Sequence, residues 1–260
     1  MGLCLDKAFN PAKSLCVRKI AMTVKAVLFD LFDTLLIIRK NPDFFSPSFL
    51  RMYWYLNENG VNSPLDRFRE AYDEARVELY AKADPTLEEP HFNIHVALTL
   101  KMLGYNFDDS SPLVVSSSAE FCAEFMKYVY LDRDAKPLLR GLKGRYKLGI
   151  VSNYAIPECA DKLLEKHGLT AFFDVIVVSG AVNKCKPSPE IFKITLNALG
   201  VAADETVLVG DTLGADVEGA RAVGMKTVYI KRREEKPVEN LVPDVTITSL
   251  AEVPSLLQQL

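Results

Sequence analysis

Val27-Leu28-Phe29-Asp30-Leu31-Phe32-Asp33-Thr34-Leu35-Leu36 carries a short apolar run into a carboxylate, then into a Thr and two Leu. A continuous apolar run of this length reads as a strand buried on both faces. In a parallel sheet such a strand delivers the next residue, Asp30, to the carboxyl edge, where open α/β sheets bind their ligands. A carboxylate held there is a candidate nucleophile. Asp33 suits turn geometry, and Thr34 a hydroxyl that ties the loop after the strand.

Working outward, runs at 24–29, 146–152, 174–178, 206–210, 226–230 and 244–247 all have the composition of buried strands. Helical patterns lie between the later ones. Pro157 suits the first position of a helix that Gly168 closes, and Gly200 stops the periodic set Ile191, Ile194, Ala198. Val217, Ala220 and Val223 form a similar set before Gly224. Strands alternating with helices predict right-handed βαβ units and an α/β fold with a doubly wound parallel sheet.

The stretch between the first two strands is different. It reads as four helices near 46–59, 64–83, 91–103 and 112–130, separated by Asn59-Gly60, Asp84-Pro85, Gly104 and Ser110-Ser111-Pro112. An all-helical insert of this length predicts a small bundle of its own. The expected organisation is therefore an N-terminal extension (1–21), a core (22–44 and 132–260) and a helical cap (45–131) closing over Asp30, with short linkers near 36–45 and 131–140. Trp54, Tyr53 and Tyr55 are expected in the bundle core.

The 260 residues are 49% hydrophobic and 25% charged, enough apolar material for a sizeable core. A net charge of −3 gives no general attraction to nucleic acid or membrane, and no apolar run reaches the roughly 20 residues of a spanning helix. The five Cys (4, 16, 122, 159 and 185) lack metal-ligand spacing, which predicts free thiols in a reducing cytoplasm. Residues 1–21 are mildly basic without a long apolar stretch, unlike a secretory signal. The mixed-sign run Lys231-Arg232-Arg233-Glu234-Glu235-Lys236 reads as a solvated loop, and His91, His95 and His167 as ordinary helix residues.

Four segments carry chemistry, in this order: Asp30 to Leu35; the strand Leu148-Gly149-Ile150-Val151-Ser152 with Asn153; Lys186-Pro187-x-Pro189 before a helix; and Val207-Leu208-Val209-Gly210-Asp211-Thr212-x-x-x-Asp216. This set resembles the motifs of the haloacid dehalogenase (HAD) superfamily, whose core is Rossmann-like and whose first motif is usually Asp-x-Asp-x-Thr-Leu. The resemblance spans about residues 24–250. It departs at one place, where Phe32 replaces the second Asp.

Phosphoryl transfer needs an in-line nucleophile and neutralisation of charge on the phosphoryl oxygens. Asp30 supplies the first; Ser152 and Lys186 supply a hydrogen-bond donor and a positive charge. Thr34 and Asn153 are candidate substrate-binding residues, although Asn153 also suits a turn. Asp211 and Asp216, where a loop enters a helix, suit Mg²⁺ together with Asp30. By resemblance, the backbone carbonyl of Phe32 is a further Mg²⁺ ligand. Cys185 lies beside Lys186, whose charge would lower a thiol's pKa, but a bystander thiol is the favoured reading.

HAD phosphatases use the acid at the position of Phe32 as general acid and base, a role worth roughly 10²–10⁴-fold in rate. The 2-haloacid dehalogenases of the superfamily have an aromatic residue there and bind no metal. They lack the acid at the position of Asp211, and they expect a Tyr where this chain has Phe192. The acidic set outweighs Phe32, because clustered carboxylates without a cation repel each other and an anionic substrate. The expectation is a Mg²⁺-dependent hydrolase of a small phosphorylated metabolite, biased toward leaving groups of low pKa. A 2-haloacid dehalogenase is the alternative, and a non-catalytic binder of phosphate compounds the third reading. Oligomeric state is not legible.

Overall fold

The computed structural model describes residues 24–39, 43–234 and 241–258; the extension expected at 1–21, with Cys4 and Cys16, lies outside them. The chain opens with β1 (Ala26–Phe29) and β2 (Leu36–Ile38), followed by the helices α1 (Phe45–Glu58), α2 (Leu65–Ala83), α3 (Phe92–Met102) and α4 (Pro112–Phe125). It then runs through β3 (Val129–Leu131), α5 (Ala135–Leu142), β4 (Lys147–Ser152), α6 (Pro157–Lys166), β5 (Val175–Val178) and α7 (Ser179–Val182). The last third comprises α8 (Pro189–Leu199), β6 (Thr206–Gly210), a π-helical turn at Leu213–Glu218, α9 (Gly219–Ala222), β7 (Lys226–Ile230), β8 (Val245–Ile247) and α10 (Val253–Leu256).

Six strands form one parallel sheet in the order β5-β4-β1-β6-β7-β8. β1 is central, and alternate residues serve the two faces. Val27 and Phe29 pack into the larger core with α5, α6 and the insert; Ala26 and Leu28 pack against α8 and α9. Burial on both faces is why these strands read as unbroken apolar runs. The chain leaves β1 toward β4 and β5 on one side and later fills β6, β7 and β8 on the other. The carboxyl ends of β4, β1 and β6 therefore meet at a topological switch point, the usual ligand crevice of such sheets.

Helix ends follow local chemistry. Ser188 accepts from Glu190 N at 3.3 Å, Pro189 opens α8, and Gly200 takes φ +64° just past its end. In the insert, α1 turns Phe49, Met52, Tyr53 and Leu56 inward and packs on α4, while α2 packs on α3.

Five expectations need correction. The fourth insert helix ends at Phe125 rather than 130, and residues 129–131 are β3, paired antiparallel with β2. The stretch expected as a linker at 36–45 begins with β2, its residues 40–42 lying outside the described residues, and that at 131–140 takes in the end of β3 and the start of α5. Strands of three residues show no period, and only their pairing defines them. Trp54 is exposed although Tyr53 is buried, because each helix residue is turned about 100° from the last and this step carries Trp54 off the buried face. Cys122 on α4 and Cys159 on α6 are disulfide-bonded, with Cα atoms 5.7 Å apart, instead of free. Two cysteines on different helices give no sequence spacing that announces their pairing. Finally, the run 231–236 is not simply solvated: Arg232 and Arg233 reach the sheet edge beside Asp30, whereas 235 and 236 lie outside the described residues.

Candidate active site

Asp30 follows β1 directly, and its N–H donates to Val209 O at 2.9 Å, extending the ladder one residue past the strand. Ser152 closes β4 and Asp211 follows β6, so these side chains rise from neighbouring strand ends. Lys186 arrives from the loop before α8. Its Nζ donates to Asp30 Oδ1 and to Asp216 Oδ1, both at 2.6 Å, and all three side chains are nearly fully buried. One lysine thus bridges the residue after β1 and the π-helical turn after β6.

Asn153 holds that lysine's backbone from both sides. Its Oδ1 accepts from Lys186 N at 2.7 Å and its Nδ2 donates to Lys186 O at 2.8 Å. The residue expected at the substrate or in a turn is therefore a clamp on the motif that carries the cation. The Lys186–Pro187 peptide is cis. Gly219 lets α9 approach this turn, since a Cβ there would meet Phe192 and Pro187.

Asp216 lies within the π-helical turn, and its Oδ2 accepts from Thr212 N at 2.9 Å. Gly210 makes room for it: a Cβ on Gly210 would collide with the Asp216 carboxylate. Oxygens of Asp30, Asp211 and Asp216 all lie within 4.8 Å of one another. Three buried oxygen donors of this kind suit a hard divalent cation.

Three oxygens around the crevice are buried without a hydrogen-bond partner among the described residues: Asp30 Oδ2, Ser152 Oγ and Thr34 Oγ1. Buried polar atoms are normally paired, so these carry hydrogen-bonding capacity that a polar ligand would meet. The tie expected from the Thr34 hydroxyl is made instead by Arg232. Its Nε donates to Asp33 O at 3.1 Å and its Nη2 to Thr34 O at 3.0 Å, with Asp132 Oδ2 at 2.8 Å from Nη2. Asp33 itself has φ +57° and accepts from Ile38 N at 3.1 Å, in keeping with a turn residue.

Charge is unbalanced at this edge. Burial pushes the Asp30 carboxyl up to about 7; Lys186 opposes the rise, while Asp216 and Asp211 add to it. Burial likewise pushes Asp211 up to about 6, with Asp216 adding and Arg233 opposing. For Lys186 burial works against the charge, but Asp216 and Asp30 together hold its pKa above the usual lysine range. Lys186 and Arg233 together do not offset three clustered carboxylates, which is the electrostatic condition that attracts a cation.

Arg232 and Arg233 were hidden in a mixed-charge run. Arg233 Nη1 bonds Asp211 Oδ2, its Nη2 donates to Thr212 Oγ1 at 3.0 Å, and Asp33 Oδ2 is 3.6 Å away. Their signal was position: they follow β7, and residues just past a parallel strand end at the ligand edge. Phe32 turns its ring onto Tyr154, 4.8 Å between centroids, and Phe125, 5.9 Å. Tyr154 Oη points to Cys159 Sγ at 3.8 Å, so this aromatic group places no acid where Phe32 lacks one.

The remaining candidates lie elsewhere. Cys185 Sγ donates to Leu87 O at 3.5 Å, and burial, followed by Glu89, pushes its thiol up, away from the reactive thiolate that Lys186 beside it would favour. His95 is buried in the insert and His167 ends α6, but His91 faces Glu158 at 3.1 Å, linking the start of α3 to α6.

The sequence model of the family described as haloacid dehalogenase-like hydrolase matches residues 24–224. The glyceraldehyde 3-phosphate phosphatase of Methanopyrus kandleri is 30% identical over 91% of this chain and 98% of that protein. The N-acylneuraminate-9-phosphatase of Homo sapiens is 33% identical over 52% of this chain, and the match spans only about half of that protein, 55%. A solved 2-haloacid dehalogenase from Pseudomonas syringae pv. Tomato DC3000 superposes with a TM-score of 0.71, covering 91% of this chain and 99% of that one at 22% identity, which bears on the fold alone. No helix among the described residues is long and apolar enough to cross a membrane. A family match running from β1 through α9 takes in the ends of β4, β1 and β6, which meet at Asp30, and this chain belongs to the haloacid dehalogenase-like hydrolases.

Proposed function

We propose that this chain is a Mg²⁺-dependent phosphatase of a small phosphorylated metabolite, working through an aspartyl-phosphate on Asp30. The observation that carries the reading is the bridged acidic set: Lys186 bonds Asp30 and Asp216 at 2.6 Å each, with Asp211 completing the cluster. A nucleophile, a fixed positive charge and a cation-holding group then share one buried crevice. The M. kandleri relative, itself a phosphatase by name, supports the same reaction class.

In this reading Lys186 holds Asp30 Oδ1, leaving the unpartnered Oδ2 to attack phosphorus. Ser152 Oγ–H donates to a phosphoryl oxygen, and Thr34 Oγ1 is a second donor within the same buried group. Asp30, Asp211, Asp216 and the carbonyl of Phe32 would hold Mg²⁺, which supplies charge neutralisation at the phosphoryl group. Arg233 steadies Asp211, and Asn153 steadies Lys186. Helices α1–α4, within a cap at 45–131, cover the crevice and select the substrate.

The test is inorganic phosphate release from a panel of natural phosphometabolites, with Mg²⁺ and with EDTA, in the wild type and Asp30→Asn. Mg²⁺-dependent release that Asp30→Asn abolishes is the expected result; release that persists in the variant would sink the nucleophile assignment. Phe32 favours one second reading, a 2-haloacid dehalogenase, which predicts metal-independent chloride release from a short 2-chloro acid.

A further inference from the structure

A cavity of about 310 Å³ lies between the helical insert and the loop after β4. Its wall includes the rings of Phe44, Tyr72, Phe92, Phe121, Phe125 and Tyr154. It adjoins the crevice at two points. Asn153, which clamps Lys186, is on its wall. So are Phe125 and Tyr154, the two rings that pack on Phe32. One acidic side chain lines it, Glu89, from the loop before α3. The Glu89 carboxylate takes a single hydrogen bond among the described residues, from Tyr80 Oη at 2.8 Å.

Two independent features of the leaving-group side agree. Phe32 supplies no proton to a departing oxygen, so the leaving group must depart as a stable anion. A phenol, with a pKa of about 10, does so far more readily than an alkanol, which resembles water at about 15.7. The cavity, for its part, offers ring faces and edges, which pair with another aromatic ring in offset or T-shaped geometry. A cavity of about 150 Å³ already holds benzene, so this one accommodates a single ring with a short side arm.

We propose that this cavity receives the leaving group of the substrate, and that the group is a single phenolic ring whose side arm carries an N–H or O–H donor that meets Glu89. The inference rests on the phosphatase reading above. Chemically, Asp30 Oδ2 forms a bond to phosphorus as the P–O(aryl) bond breaks. The electron pair leaves on the aryloxide, which takes a proton from solvent. Water then hydrolyses the acyl phosphate, returning the Asp30 carboxylate and inorganic phosphate. Glu89 is a specificity residue in this scheme, since it meets the far end of the leaving group and not the reacting atoms.

The test uses the full chain with Mg²⁺ and three probes: 4-(2-aminoethyl)phenyl phosphate, phenethyl phosphate and glycerol 1-phosphate. Phenethyl phosphate separates ring recognition from leaving-group chemistry, because its departing oxygen is an alkoxide. The expected results are a KM for phenethyl phosphate about tenfold below that for glycerol 1-phosphate, and the highest kcat/KM for the aminoethyl aryl ester. Glu89→Gln keeps the shape and the bond from Tyr80. It should lower kcat/KM for the aminoethyl aryl ester about tenfold and change phenethyl phosphate by less than about twofold. Glycerol 1-phosphate turned over as well as the aryl ester, or a Glu89→Gln loss equal for all probes, would overturn the proposal. Should no probe or natural phosphometabolite release phosphate, the phosphatase reading itself fails, and calorimetric titration with tyramine decides the cavity separately. Millimolar binding weakened about tenfold in Glu89→Gln supports it; absence of binding overturns it.

Discussion

At the residue scale, Lys186 is the group on which the crevice depends, because among the described residues it alone bridges Asp30 and Asp216. Lys186→Met removes the cation that faces both acids and leaves them mutually repelling. Activity should fall by about 10²-fold or more, on the scale of lost charge stabilisation in the transition state. Steady-state phosphate release checks this, and a variant within a few-fold of wild type would refute the role. Gly210 is a second sensitive position, for steric reasons. A methyl group there meets the Asp216 carboxylate, so Gly210→Ala must displace Asp216 and with it Lys186. The expected outcome is loss of activity with an unchanged far-UV spectrum, at a stability cost of about 1–3 kcal/mol in a denaturant titration.

At the element scale, α2 and α3 are joined by a buried imidazole. His95 on α3 donates Nε2–H to Tyr72 O on α2 at 2.8 Å. Burial, then Arg76, lowers its pKa below the usual histidine value, against the pull of the Tyr72 carbonyl and Asp73. A histidine with a lowered folded pKa contributes its stability in full above the unfolded value of about 6.5 and loses it as pH falls through the folded pKa. The urea midpoint should therefore drop between pH 7.5 and pH 5, and His95→Gln should flatten that drop. An equal drop in both proteins would assign the pH dependence elsewhere.

At the scale of the whole molecule, insert and core are tied at several points: Cys122 to Cys159, His91 to Glu158, and Phe92 N to Ala155 O at 2.9 Å. A disulfide closing a loop of 37 residues is worth about 4 kcal/mol. For a chain this long that is roughly 8–16 °C in melting temperature. Cys122→Ser should melt lower by that amount, and a reductant should bring the wild type to the same point. Equal melting of oxidised and reduced wild type would show that the bond adds no stability.

The inner strands of the sheet were legible because a parallel strand covered on both faces is largely apolar, and Asp30, Ser152 and Asp211 because each lies at or just past such a strand's end. The four insert helices were legible from breakers and periodicity. Other features depend on distant segments meeting. The β2–β3 ribbon is too short to carry a period, and its pairing joins residues 36–38 to 129–131. Arg232 and Arg233 look like surface charge until β7 brings them to Asp33, Thr34 and Asp211. Thr34 lost its expected loop-tying role to that arginine, and Asn153 became a clamp because the loop before α8 passes beside β4. The aromatic cavity and the Cys122–Cys159 bond likewise arise where insert and core meet. Local pattern records which face of an element is apolar and which residue ends it. Contacts between segments distant in sequence are set by how the elements pack, and no local pattern encodes them.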